Sequence, residues 1–303
     1  MPSSIINKSQ IIPTPSTLED FESREFSSDN TVYSSFAYLI GVIRAIAETT
    51  TFVPAHIDGA PNMEAVDAVD AAVDGWLLLL PDCKRSVMGS GGAIDELMFY
   101  ANMSINAALV GFHRPFSEIL FDPLESLSSC ASRAHTSNLP DDLKSIHTTR
   151  CLASIQSQIK LLTLPKRPFC HSPFVSCMVV TGMLPYLSAC RCLLTGKELA
   201  VARQQIRLGI GCLRALGSIW TRGAKTVEEI QAIAREILGL GAKGSATSRG
   251  LSNAVGVDNE TISESGNSGQ LLPDIDYGLS PSWMLVNQQL ELDTWFTSYY
   301  PAE

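Results

Sequence analysis

The chain has 303 residues, enough for one sizeable core and, by length alone, for two domains. Hydrophobic residues make up 45% and charged residues 17%, the opposite of a disordered composition, so most of the chain is expected to fold. The net charge is −9, and the longest basic runs are the pairs Lys84-Arg85 and Lys166-Arg167, so a face that neutralises phosphates is lacking and direct DNA contact is not expected.

Residues 1–30 are rich in Ser, Pro and charge and carry no apolar stretch of signal-peptide length. They are expected to be disordered. Without a secretory leader, the eight cysteines are expected to stay reduced.

Helical periodicity starts near residue 31. Tyr33, Phe36, Ala37, Ile40, Ile43 and Ala47 recur at helical spacing and predict a helix over 31–47, capped by Asp29 or Asn30. A loop with Pro54, Gly59 and Pro61 follows. Asn62 caps the next predicted helix, which reaches about residue 80 and turns Val66, Val69, Val73, Trp76, Leu77 and Leu80 inward. Asp67, Asp70 and Asp74 fall on its other side and read as a solvated face.

The loop Gly89-Ser90-Gly91-Gly92 leads into a third helix, marked by Ile94, Leu97, Met98, Ala101, Ile105, Ala108, Leu109 and Phe112. Pro115 ends it at Arg114, because a residue before proline avoids helical geometry. A fourth helix is predicted over 141–162, with Leu152, Ile155, Ile159 and Leu162 inward. A fifth opens with Ser172 as cap and Pro173 at its first position. A sixth covers 198–220. A seventh opens on Thr226-Val227-Glu228-Glu229, which has the spacing of a capping box, and turns Ile230, Ile233, Ala234, Ile237 and Leu238 to the core.

No alternating Val/Ile/Thr run is bounded by turn residues. The expected fold is therefore all-α, an antiparallel bundle of seven to eight helices. Residues 173–194 are long and apolar enough to raise a membrane span. Ser176, Thr181, Pro185 and Ser188 interrupt them, and a buried core helix is the expected reading.

Residues 241–270 are rich in Gly, Ser, Asn and Thr and read as a flexible linker. Residues 271–303 carry acidic and aromatic side chains and no Lys or Arg, the composition of an activation segment. Met284, Leu285, Gln288, Leu292 and Trp295 also allow a helix that docks on the core.

The polar motifs offer little chemistry. The cysteines lack the paired spacings of a zinc cluster, and Cys190 and Cys192 would point about 200° apart on a helix. Buried free thiols behave as small apolar groups. No Gly-x-Ser-x-Gly elbow is present, and the glycine loop lacks the Gly-Lys-Ser/Thr of a phosphate loop. His113, at a helix end, is expected to cap carbonyls or meet the helix dipole. No catalytic, metal or DNA-binding residue is assigned, and no cofactor.

Two blocks carry a resemblance. Leu109-Val110-Gly111-Phe112-His113-Arg114-Pro115-Phe116 resembles the helix-ending His-Arg-Pro-Phe signature of the fungal-specific transcription factor domain. This domain is the middle homology region of zinc-binuclear-cluster regulators. His171-Ser172-Pro173-Phe174, followed by Leu187-Ser188-Ala189-Cys190, is similar to the family's next helix start. Leu213 to Trp220, with Leu216, Gly217 and Trp220, is similar to its Leu-x-x-Leu-Gly-x-x-Trp helix, and residues 227–238 to its closing segment.

The resemblance covers residues 31–240 and departs from the family in lacking the six-cysteine finger and its basic linker. It implies structural roles for His113, Arg114, Pro115, Phe116, Ser172, Pro173, Phe174, Leu216, Gly217 and Trp220. Arg114 would pair with carbonyls or a carboxylate, Pro115 would stop the helix, and Phe116 would anchor the next turn. It further implies a nuclear regulator of transcription, not an enzyme, serving a secondary-metabolite gene cluster. Expected partners are a full-length zinc-cluster regulator or the transcription machinery, with a small-molecule effector and no membrane. The contrasting reading is a helical ligand-binding protein or enzyme of a metabolite pathway.

Overall fold

The computed structural model describes residues 16–26, 31–53, 55–57, 60–89, 91–132, 139–165 and 171–239. The expected linker and acidic tail, residues 241–303, lie outside the described residues. The order is α1 (Leu18–Glu22), α2 (Ser35–Phe52), β1 (His56–Ile57), β2 (Ala60–Pro61), α3 (Met63–Leu78), α4 (Asp82–Arg85), α5 (Glu96–His113), α6 (Asp141–Leu162), α7 (Phe174–Cys192), α8 (Gly196–Gly217) and α9 (Thr221–Ile237). The fold is all-α. Among the described residues the strands amount to one short antiparallel pair, His56 opposite Pro61.

Inside the leading segment expected to be unstructured, Thr17 and Asp20 close a reciprocal capping box on α1. Phe21 is buried there, edge-on to Tyr33 and Tyr38. It lies so close to Gly41 of α2 that an added Cβ would sit 2.3 Å from its ring.

Helix α2 starts later than its periodicity predicts. Its cap is Ser34, whose side chain accepts from the Ala37 amide at 3.2 Å; the expected caps, Asp29 and Asn30, lie outside the described residues. The expected inward stripe is also displaced. Phe36, Ile40 and Ile43 are 57%, 38% and 48% exposed, whereas Tyr38 and Val42 are buried. The helix is apolar on two sides, and spacing alone does not say which side the rest of the chain covers. Tyr38 wins because Trp76 of α3 reaches it, donating its indole N–H to the Tyr38 carbonyl at 3.1 Å.

Asn62 caps α3 through the Glu64 amide, and Val66, Val69, Val73, Trp76, Leu77 and Leu80 are all buried. The glycine-rich stretch before α5 is a tight turn with Gly92 at φ +75, where the absence of a Cβ removes the steric cost. It brings Met88 against Ile94. Asp95 then caps α5.

Helix α5 is the hub, in contact with α2, α3, α6 and α7. Helix α7 is the one described helix long and apolar enough to cross a bilayer, and 72% of its apolar window is buried in the bundle. Its expected cap does not form. No side chain caps α7, and the Ser172 amide donates instead to the Tyr100 hydroxyl of α5 at 2.8 Å.

Helices α8 and α9 are joined by residues 218–220 and pack on α7. The expected capping box at Thr226 is another correction. Helix α9 already begins at Thr221, Thr226 lies inside it donating to the Arg222 carbonyl, and Glu229 accepts from the Ser129 amide. Trp220 is not the end of α8 but the residue before α9. A capping-box spacing also occurs by chance inside helices, and here the contact of α8 with α9 sets the start earlier.

Candidate functional site

Two buried polar clusters flank the junction where α5 ends. The first is built on His113, the last residue of α5, which has no solvent exposure. Its Nε2 lies 3.0 Å from Asp70 Oδ1 of α3, and its Nδ1 lies 2.8 Å from His147 Nδ1 of α6. Arg150, one turn along α6, also pairs with Asp70. Burial pushes the His113 pKa down to about 4 against the raising influence of Asp67. Burial and then His113 lower that of His147. Both imidazoles are therefore neutral near pH 7. A carboxylate only accepts, so His113 donates from Nε2 to Asp70, and its Nδ1 accepts from His147.

His113 thus neither caps carbonyls as a cation nor meets the dipole as one. Asp70 does not belong to a solvated acidic face. Asp67 is exposed, but Asp70 is ion-paired and Asp74 is half-buried, with its carboxyl raised by burial.

The second cluster surrounds Arg114. Pro115 ends the α-helix and a 3₁₀ turn, Arg114–Phe116, follows, with Phe116 buried beside the His147 ring at 5.5 Å. The Arg114 guanidinium grips Glu125 with both terminal nitrogens, one at 2.7 Å. It also donates to the Leu120 carbonyl at 3.3 Å and lies over the Phe121 ring at 3.9 Å. Glu125 is itself held by the Asp122 amide at 3.0 Å and by the Ser188 hydroxyl of α7 at 2.5 Å. Arg114 and Glu125 are 5% and 3% exposed. One polar atom is left over: Arg114 Nε is buried with no hydrogen-bond partner.

Arg114 also lines a cavity of about 370 Å³ with Val110, Gly111, Pro115, Phe121 and Leu184. Cys130 stands at the same cavity, its sulfur 3.9 Å from that of Cys177. Cys151, Cys190 and Cys212 are buried on helices, with burial pushing their thiols up to about 12, 11 and 11. Among the described residues, no three His, Cys, Asp or Glu side chains form a group able to hold a metal ion; Cys170 lies outside them.

The other motif residues gather at the opposite end of α5. The His171 ring stacks on Phe99 at 4.3 Å and pairs with Glu96. Its carbonyl accepts the Trp220 indole N–H at 3.1 Å. Leu216 is fully buried, Gly217 lies against the backbone of Gly223 and Ala224, and Phe174 is 71% exposed. The motif residues therefore form two groups at the two ends of α5 rather than one site.

Sequence reasoning missed Asp70, Glu125, His147 and Ser188. Two of these left a signal. Asp122-Pro123-Leu124-Glu125 is a capping box, seen in the structure at the 3₁₀ turn Pro123–Leu127. His147 falls on the buried stripe of α6 with Cys151, Ser154 and Gln158, where a polar residue at core spacing calls for a partner.

Comparison with known proteins finds a C6 finger domain transcription factor, iacK, from Pestalotiopsis fici, 28% identical over 226 residues. The match takes in 75% of this chain and 33% of that protein, so the aligned region spans about a third of the relative's length. No family model matches. No solved structure matches.

Proposed function

We propose that this chain is a transcriptional regulator acting through its helical domain. The observation that supports it is the similarity to a C6 finger transcription factor along 226 residues, in a chain whose charge is −9. In this reading the described bundle is regulatory and its own residues do not grip DNA. The 303 residues include no six-cysteine finger, and in this reading a zinc-cluster module outside the bundle brings it to promoters. The protein works in the nucleus and controls a set of secondary-metabolite genes. The similarity to a transcription factor favours this reading over an enzyme.

The test is a transcript profile after deletion of the gene in its native host. A coordinated change across a contiguous set of biosynthetic genes is expected. Flat transcripts with accumulation of one metabolic intermediate would overturn the reading.

A further inference from the structure

Two thiols meet beside the cavity at the end of α5. Cys130 follows the 3₁₀ turn Pro123–Leu127 and lines that cavity, and Cys177 lies in the first turn of α7. They are 47 positions apart in sequence, yet their sulfurs lie 3.9 Å apart, close to van der Waals contact. A disulfide needs about 2.05 Å, so a small turn of each side chain closes the gap.

Other contacts hold the backbone on both sides. Next to Cys130, the Ser129 amide and hydroxyl both reach Glu229 of α9, at 3.0 and 3.3 Å. The Cys130 amide itself donates to the Ser128 hydroxyl at 3.2 Å. Cys177 is fixed by its helix, and its carbonyl accepts the Thr181 hydroxyl at 3.0 Å. The two sulfurs are thus presented to each other by elements anchored independently of them.

The thiols are not equivalent. Cys177 is exposed and Cys130 is half-buried. Burial pushes the Cys130 thiol up and the neighbouring Cys177 adds to this, while Ser129 and Arg222 of α9 work the other way. A dissolved oxidant therefore meets Cys177 first, and Cys130 is the thiol placed to answer it.

We propose that Cys130 and Cys177 are a redox-active pair that a hydroperoxide converts to a disulfide, tying the segment after the 3₁₀ turn to α7 at the cavity wall. The Cys177 thiolate attacks one peroxide oxygen. The O–O bond breaks, leaving a sulfenic acid on Cys177 and, with one proton, a water. The Cys130 thiolate then attacks the Cys177 sulfur. The S–O bond breaks, and the hydroxyl leaves as a second water with the proton that Cys130 gave up. The two thiols lose two electrons and the peroxide gains them. In a reducing compartment such a bond is transient and serves redox sensing. The inference rests on this geometry and not on the regulatory reading.

The test uses the full chain, fully reduced and then exposed to a small molar excess of hydrogen peroxide. Remaining thiols are blocked with iodoacetamide and the peptides mapped by mass spectrometry. The expected product links Cys130 to Cys177, forms before the exposed Cys83 is modified, and disappears with dithiothreitol. Cys130→Ser is expected to stop at a Cys177 sulfenic acid, trapped by dimedone. Cys177→Ser is expected to keep Cys130 as a thiol at the same dose. Thermal unfolding reads the cross-link: oxidised wild type should melt about 5–10 °C above reduced wild type, with peroxide-treated Cys177→Ser as the baseline.

Two free thiols after treatment would overturn the pair. So would Cys177 driven to sulfinic acid without a link, or joined to Cys170 instead. Dimedone on Cys130 in Cys177→Ser would overturn Cys177 as the thiol attacked first. A link that leaves the midpoint unchanged, or lowers it, would overturn the claim that the segment and α7 are already held in bonding position.

Discussion

The Nδ1 atoms of His113 and His147 lie 2.8 Å apart, so only one of them carries a proton. Asp70 Oδ1 closes the other side of His113 at 3.0 Å, and Arg150 pairs with Asp70 in turn. The cluster ties α3, α5 and α6 together through neutral imidazoles. Uncharged imidazole suits a buried site, since a buried ion must be compensated in full.

That arrangement makes stability depend on pH. An unfolded histidine titrates near 6.5, whereas burial holds His113 down to about 4. Between these values the unfolded chain binds a proton that the folded chain refuses. Stability is therefore complete above pH 6.5 and is lost as pH falls towards 4, by on the order of 3 kcal/mol for this group. Urea denaturation at pH 7.0, 5.5 and 4.5 should show a falling midpoint. His113→Gln should be less stable at pH 7 and show a shallower fall. Parallel pH curves for the two proteins would remove the neutral histidine pair as the cause.

The bidentate pair of Arg114 and Glu125 sets a second expectation. Each is almost wholly buried, and each would be left as an uncompensated charge if the other were removed. Arg114→Met should cost about 3–5 kcal/mol in urea denaturation, and Glu125→Gln a similar amount. The double variant Arg114→Met/Glu125→Gln should cost less than the sum, because it removes both charges together. Strict additivity, or single losses under about 1 kcal/mol, would show that the pair is not coupled.

These two clusters also show what the sequence could convey. The long helices were legible because apolar residues recur on them, and α6 runs Asp141–Leu162 as its periodicity predicts. The face of α2 was not. Phe36, Ile40 and Ile43 keep helical spacing as well as Tyr38 and Val42 do, and the choice between them was made by Trp76 and Phe21, distant in the chain. The polar partners were hidden for the same reason. Asp70 precedes His113 by 43 residues, and Glu125 meets Ser188 across 63. The resemblance implies that Arg114 pairs with carbonyls or a carboxylate. It does not say which of the acidic side chains in the chain will arrive.

The turn between α8 and α9 gives a last expectation, from glycines that look alike in sequence. An added Cβ on Gly217 would meet the Ala224 nitrogen at 2.9 Å and its Cα at 3.1 Å. Both obstacles are backbone, which cannot swing aside as a side chain can. The two helices approach closely there because neither Gly217 nor Gly223 has a side chain, and Leu216 beside them is fully buried. Gly211, six positions earlier in α8, is exposed and would meet nothing within 4 Å. Gly211→Ala should therefore stabilise the protein by about 0.5–1 kcal/mol, the helix-propensity difference. Gly217→Ala should instead cost about 1–3 kcal/mol through overpacking. Thermal midpoints of the two variants should move in opposite directions from wild type. A Gly217→Ala protein as stable as Gly211→Ala would mean that α8 and α9 are free to separate, and the close backbone contact would not be what positions α9.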